Sequence, residues 1–209
     1  MLAKHQKQIE ATLMHLYRDS KYDHLKMIKG FAKRIYRPVQ PSDFKEVYLS
    51  ISKEQGADLQ QLIKENNFKN IVEFGTSFGI STLFLALGVI ETKGQIVTTE
   101  LIESKAKKAV ENFNKAGVND FIEVRIGDAL ETLKGHNKPI DLLLLDGWKD
   151  LYLPIFRMLE SKFHEKTIIY VDNADMAETQ KFLNTVAQNP RYQLQSKYYG
   201  KVMLVYVKK

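Results

Sequence analysis

Two apolar runs in this chain end in clusters of charge. Asp141-Leu-Leu-Leu-Leu delivers Asp146, and Gly147-Trp148-Lys149-Asp150 follow at once. Thr167-Ile-Ile-Tyr-Val171 delivers Asp172 and then Asn173. Runs of this kind read as strands buried on both faces of a parallel sheet. Packing alone does not call for an acid at each carboxyl end. Neighbouring strands lie about 4.8 Å apart, so two such ends can aim Asp146 and Asp172 at one ion. With Asn173 they form an all-oxygen set suited to Mg²⁺ or another divalent cation, which keeps its other positions for water or substrate. Lys149, three places past the first acid, can serve as a general base in its neutral amine form. Plainer readings stand beside these: a helix cap for Asp146, a surface turn for Asp172, a solvated charge for Lys149.

A second constellation precedes the first. Glu73-Phe74-Gly75-Thr76-Ser77-Phe78-Gly79 lies between an apolar strand and a helix. Gly75 allows a sharp turn, and Gly79 lets a ligand or a helix approach the backbone closely. The spacing is Gly-x-x-x-Gly, looser than the Gly-x-Gly-x-x-Gly of dinucleotide sites. Glu100 ends the next strand, where an acid can accept both ribose hydroxyls or, more plainly, cap the following helix. Asp128, in Gly127-Asp128-Ala129, is equally suited to accept from an adenine amino group or to cap a helix.

These positions need a scaffold of alternating strands and helices. Strands are expected at 71–74, 95–99, 121–126, 140–145 and 167–171, with helices at 81–90, 103–116, near 129–133, near 153–160 and at 177–187. Tyr192–Ser196 and Lys201–Val207 alternate as an antiparallel pair would. Ser52-Lys-Glu-Gln55 is a capping-box pattern that opens a helix through about Glu65. Repeated βα units imply a mostly parallel sheet with helices on both faces. Residues 4–34 look helical, with Ile9, Leu13, Leu16, Leu25 and Ile28 at helical spacing, and Arg37-Pro38-Val39-Gln40-Pro41 breaks that pattern. One domain is expected over 1–209, with 1–40 a basic helical appendage and 50–209 the core.

Composition removes several classes of function. There is no cysteine, so disulfides, thiolate metal sites and cysteine nucleophiles are excluded. His5, His15, His24, His136 and His164 form no ligand spacing. The start lacks the apolar core of a signal peptide, and the run from Leu83 to Ile90 is too short for a bilayer, so a cytoplasmic protein without membrane contact is expected. The net charge of +6 lies wholly in residues 1–40, which hold nine Lys/Arg against three Asp/Glu. That segment is a solvated face, or it attracts acidic substrate groups, a partner or nucleic acid.

Taken together, Val72-Glu-Phe-Gly-Thr-Ser-Phe-Gly79, Thr99-Glu100, Gly127-Asp-Ala129, Leu145-Asp-Gly-Trp-Lys-Asp150 and Asp172-Asn173 resemble a class I S-adenosylmethionine-dependent methyltransferase. The resemblance is to the metal-dependent O-methyltransferases of the catechol and caffeoyl-coenzyme A type, from about Ser50 to the C-terminus. It implies a Rossmann-like seven-stranded sheet of order 3-2-1-4-5-7-6, strand 7 antiparallel. It implies Glu73, Gly75, Ser77, Gly79 and Ser81 around the methionine part of S-adenosyl-L-methionine, and Glu100 on its ribose. Leu101, Asp128, Ala129 and Trp148 would border the adenine. Asp146 borders the cofactor and, with Asp172 and Asn173, matches the metal ligands, while Lys149 matches the base. The implied acceptor is the hydroxyl of a small phenolic or catechol-like molecule, and a homo-oligomer is compatible with the family. Two departures weigh against catechol itself. Gly147 replaces a family histidine, and Tyr198-Tyr199-Gly200-Lys201 stands where a substrate-anchoring glutamate is expected. Tyr198 and Tyr199, with Tyr36, either line the acceptor pocket or are half-buried sheet and lid aromatics. A nucleic-acid methyltransferase, a nicotinamide-dependent oxidoreductase and a non-catalytic cofactor-binding module remain as alternatives. No Asn/Asp-Pro-Pro-Tyr tetrapeptide is present to support the first.

Overall fold

The computed structural model describes residues 2–22, 40, 43, 45–47 and 50–208. The expected helix beyond residue 22, with Leu25 and Ile28, lies outside them, as do His24, Tyr36 and most of the 37–41 breaker.

The chain opens with α1 (Leu2–Asp19) and α2 (Lys53–Asn66). Strand and helix then alternate: β1 (Asn70–Phe74), α3 (Ile80–Thr92), β2 (Gln95–Glu100), α4 (Glu103–Ala116) and β3 (Ile122–Ile126). The one-turn helix α5 (Ala129–Thr132) leads to β4 (Ile140–Leu145) and α6 (Tyr152–Leu159). β5 (Phe163–Asp172), α7 (Ala177–Ala187), β6 (Tyr192–Lys197) and β7 (Val202–Val207) complete it. The sheet order is β3-β2-β1-β4-β5-β7-β6, with β7 antiparallel to both β5 and β6.

The four leucines of β4 show why the run is unbroken. Leu142 and Leu144 belong to an apolar cluster on one face, Leu143 and Leu145 to a second cluster on the other. Successive strand side chains point to opposite faces, so a strand with helices on both sides needs apolar residues at every step. The first cluster joins the sheet to α1, α2, α3 and α4 through Ile9, Leu59, Leu83 and Phe113. The second joins it to α6 and α7 through Ile155, Phe156 and Phe182. Ile9, Leu13 and Leu16 of α1 are thus part of the first cluster.

Local signals set the element ends. Ser52 Oγ accepts from Gln55 N at 3.1 Å while Gln55 Oε1 accepts from Ser52 N at 2.9 Å, a complete capping box at the start of α2. Asp141 accepts from the Lys69 and Asn70 amides, each at 2.8 Å, which pins the start of β1 to that of β4. One strand differs from expectation: β5 begins at Phe163, not Thr167. It pairs Ile140 with Phe163, then shifts register so that Leu142 meets Ile168. Thr167 donates to Ile140 O at 2.6 Å and accepts from His164 N at 2.8 Å, so side-chain bonds carry the polar start that apolar alternation does not reveal.

Candidate active site

Asp146 and Asp172 close β4 and β5, adjacent strands in parallel register, with Leu145 opposite Val171. Their carboxyls are within hydrogen-bonding reach of one another. The Asp146 side chain is only 11% exposed, and Asp172 is buried. Burial, then the neighbouring Asp172 charge, push the Asp146 carboxyl well above its usual range, against the pull of Lys149. Neither acid caps a helix, and Asp172 is not in a surface turn. Asn173 follows with φ at 53°, a left-handed conformation that Asn tolerates and that turns the chain sharply at the strand end. Two neighbouring carboxylates, one buried and one largely so, followed by the carboxamide residue Asn173 make a donor set that fits a divalent cation, because such a pair is costly without a positive charge between its members. Among the described residues no group of three or more His, Cys, Asp or Glu comes together, so any such ion would rest on these two acids with neutral oxygens.

Lys149 is largely buried, its side chain 15% exposed. Nζ lies 4.0 Å from Asp146 Oδ1, donates to Gly147 O at 2.8 Å, and sits 5.3 Å from the centre of the Tyr152 ring. Tyr152 is fully buried beneath it and donates to Asp172 O at 3.4 Å. Burial and the two nearby aspartates drive that phenol's pKa well upward, so it stays protonated as a donor.

The glycine loop crosses this cluster. A Cβ on Gly75, whose φ is +109°, would stand 2.7 Å from Asp146 O, so only glycine lets the β1 and β4 loops meet. At Gly79, φ +89°, a Cβ would meet the Phe113 ring at 2.4 Å; the close neighbour there is α4. Glu73 is fully buried and accepts from Ser81 Oγ at 2.5 Å and from Thr82 and Thr98 Oγ1, each at 2.6 Å. Burial raises its pKa and the three hydroxyls oppose that rise. Ser77, at φ 49°, donates its amide to Glu100 Oε2 at 2.8 Å, and Ile102 N donates to Oε1 at 2.9 Å. Glu100 therefore ties the first loop to the second, with a lone pair left on each oxygen.

Asp128 is exposed and caps α5, accepting from Leu130 N at 2.9 Å. Ala129 is buried beside it, Leu101 is 55% exposed, and Trp148 packs partly buried on the second apolar cluster. Gly147 has a physical explanation as well: a Cβ there would lie 2.5 Å from the Phe74 ring, so that ring fills the space of a larger residue. Tyr198 packs partly buried on the first cluster and donates to Glu54 O at 3.3 Å, while Tyr199 is fully exposed. Tyr198, Tyr199 and Gly200 all have positive φ, at 51°, 54° and 92°.

Two participants were missed in the sequence. Gln55 Nε2 donates to Asp172 Oδ1 at 2.7 Å across 117 positions of chain, a contact with no local signal. Lys105, only 3% exposed, donates to Val47 O at 2.9 Å and Ser77 Oγ at 3.3 Å. Its signal was present, because it lies on the stripe of Ala109, Asn112 and Phe113 that α4 buries.

The comparisons agree with this architecture. The O-methyltransferase family profile matches residues 26–193. A catechol O-methyltransferase of Niastella koreensis is 30% identical over 129 residues, 60% of this chain and 58% of that enzyme. A caffeoyl-CoA O-methyltransferase of Medicago sativa is 30% identical over 132 residues, 60% of this chain and 53% of that enzyme. The chain thus matches somewhat more than half the length of these relatives. The SAH-bound methyltransferase PaMTH1 of Podospora anserina superposes with a TM-score of 0.71 at 23% identity, covering 88% of each chain, which speaks to the fold. With the family profile spanning most of its length over this sheet order, the chain belongs to the O-methyltransferase family.

Proposed function

We propose that the protein transfers a methyl group from S-adenosyl-L-methionine to a hydroxyl of a small phenolic or catechol-like molecule, with a divalent cation such as Mg²⁺. The observation that carries this reading is the buried Asp146–Asp172 pair with Lys149 Nζ 4.0 Å from Asp146, all at one edge of the sheet. The names of relatives, catechol and caffeoyl-CoA O-methyltransferase, support the same acceptor chemistry.

In this reading Glu100, braced by the Ser77 and Ile102 amides, offers its remaining lone pairs to the ribose hydroxyls. Gly75, Ser77, Gly79 and Ser81 shape the methionine side. Glu73 acts from behind that wall, since its carboxylate is already engaged by three hydroxyls. Leu101, Asp128, Ala129 and Trp148 border the adenine. Asp146, Asp172 and Asn173 would hold the cation, which when bound supplies Lewis acidity that eases loss of the acceptor's proton. Lys149 Nζ accepts that proton. The acceptor oxygen then bonds to the methyl carbon as the carbon–sulfur bond breaks, leaving S-adenosylhomocysteine. An ordinary phenol has a pKa near 10, so at neutral pH the proton must be removed before or during attack.

The test is methylation of a catechol and phenol panel with Mg²⁺ and again with chelator. A methyl ether is expected only when the cation is present. Lys149→Ala is expected to lower kcat by about two orders of magnitude or more, with S-adenosylhomocysteine affinity retained. Turnover that survives chelation would remove the cation from the reaction; an unchanged kcat in the variant would remove Lys149.

A further inference from the structure

We propose that Gln55 is a positioning residue for the cation: it holds Asp172 by one oxygen, so that this carboxylate acts as a single-oxygen ligand. The inference rests on the divalent-cation reading above and extends it to a residue on a different element. Gln55 is 1% exposed, and its amide is fixed at both ends. Ser52 N can only donate, so Gln55 Oε1 must face it, at 2.9 Å. That assigns Nε2 to Asp172 Oδ1, at 2.7 Å, with no freedom to flip. The capping box that starts α2 is therefore also the anchor of a carboxylate at the far side of the sequence.

The chemistry follows from which oxygen is engaged. Asp172 Oδ1 spends a lone pair on a neutral donor inside a buried site, and Oδ2 is free of that bond. Oδ2 is then the readier ligand atom of Asp172, with Asp146 beside it, an arrangement that favours single-oxygen ligation and suits the small, strictly octahedral Mg²⁺. Ca²⁺ takes more oxygens and readily uses a carboxylate through both of its own. Gln55 thus favours Mg²⁺ over Ca²⁺ without touching either. Partners behind metal ligands typically account for about 10–100-fold in affinity.

The experiment is calorimetric titration of Mg²⁺, and separately Ca²⁺, into the full chain saturated with S-adenosylhomocysteine. Gln55→Met keeps the side chain's bulk and removes the donor. It is expected to weaken Mg²⁺ about tenfold and to narrow the Mg²⁺ preference over Ca²⁺, with S-adenosylhomocysteine affinity held within about twofold. Gln55→Asn, one methylene too short to span both groups, is expected to move both affinities the same way and serves if the first variant does not fold. Ser52→Ala removes the side-chain cap but keeps the backbone donor, so it is expected to lower the melting temperature and leave Mg²⁺ affinity unchanged. Gln55 variants that bind Mg²⁺ like the wild type overturn the proposal, as does an equal loss in Ser52→Ala, which would mean that only helix stability was at work. A wild-type chain that binds neither cation is a different failure: it removes the cation reading itself, and this inference with it.

Discussion

At the scale of single residues, Asp146 carries a charge the fold does not fully compensate. Its carboxyl is raised first by burial and then by Asp172, so the metal-free folded protein binds a proton there more tightly than the unfolded chain does. Above the ordinary value of 3.8, stability from this group falls as pH rises, until the folded carboxyl has ionised. Asp146→Asn should accordingly raise the unfolding free energy of chelator-treated protein at pH 8 by about 1–3 kcal/mol, and by less at pH 5. Mg²⁺ should stabilise the wild type and leave the variant unmoved; urea unfolding at both pH values measures each effect. A few residues away, Gly147 and Phe74 share one space. Gly147→Ala should cost about 1–3 kcal/mol by overpacking, and Phe74→Leu in the same chain should recover part of it, as a double-mutant cycle would show.

At the scale of elements, α2 bears on the site as closely as the strands do. Its capping box stabilises the helix start, and Ser52→Ala is expected to cost about 1 kcal/mol in thermal or urea unfolding. Much of this level was legible in the sequence, because its signals are local. The Ser-x-x-Gln pattern, the four leucines of β4 and the glycines of the first loop each state their own requirement. The helix at 103–116 is legible for the same reason, since α4 ends on Gly117 in a left-handed conformation. What stayed hidden was decided between distant elements. The Gln55–Asp172 bond needs the helix and the strand to be assembled before it exists. The register shift at the start of β5 depends on Thr167 reaching Ile140, which no periodicity encodes. The three hydroxyls on Glu73 come from α3 and β2, so the sequence marks the acid as a strand-end residue near a ligand while the fold makes it a buried brace.

At the scale of the molecule, α1 is bound into the same apolar cluster as the sheet. Tyr17 extends the attachment by donating to Ile51 O at 2.9 Å, directly before the α2 capping box, and burial pushes its phenol up to about 12. Leu13 is 6% exposed, so Leu13→Ala should cost about 2–5 kcal/mol of global stability in urea unfolding. A smaller effect, with α1 melting alone, would mark it as a separable element. No helix among the described residues is long and apolar enough to cross a membrane.

The hydrogen bonding that sets Leu145 opposite Val171 also sets the spacing of the two acids one residue on. A separation fixed by main-chain ladders does not depend on which loops surround it. Segments that hang from the sheet outside those ladders, such as the left-handed Tyr198–Gly200 turn, can therefore change in sequence without moving the two carboxylates apart.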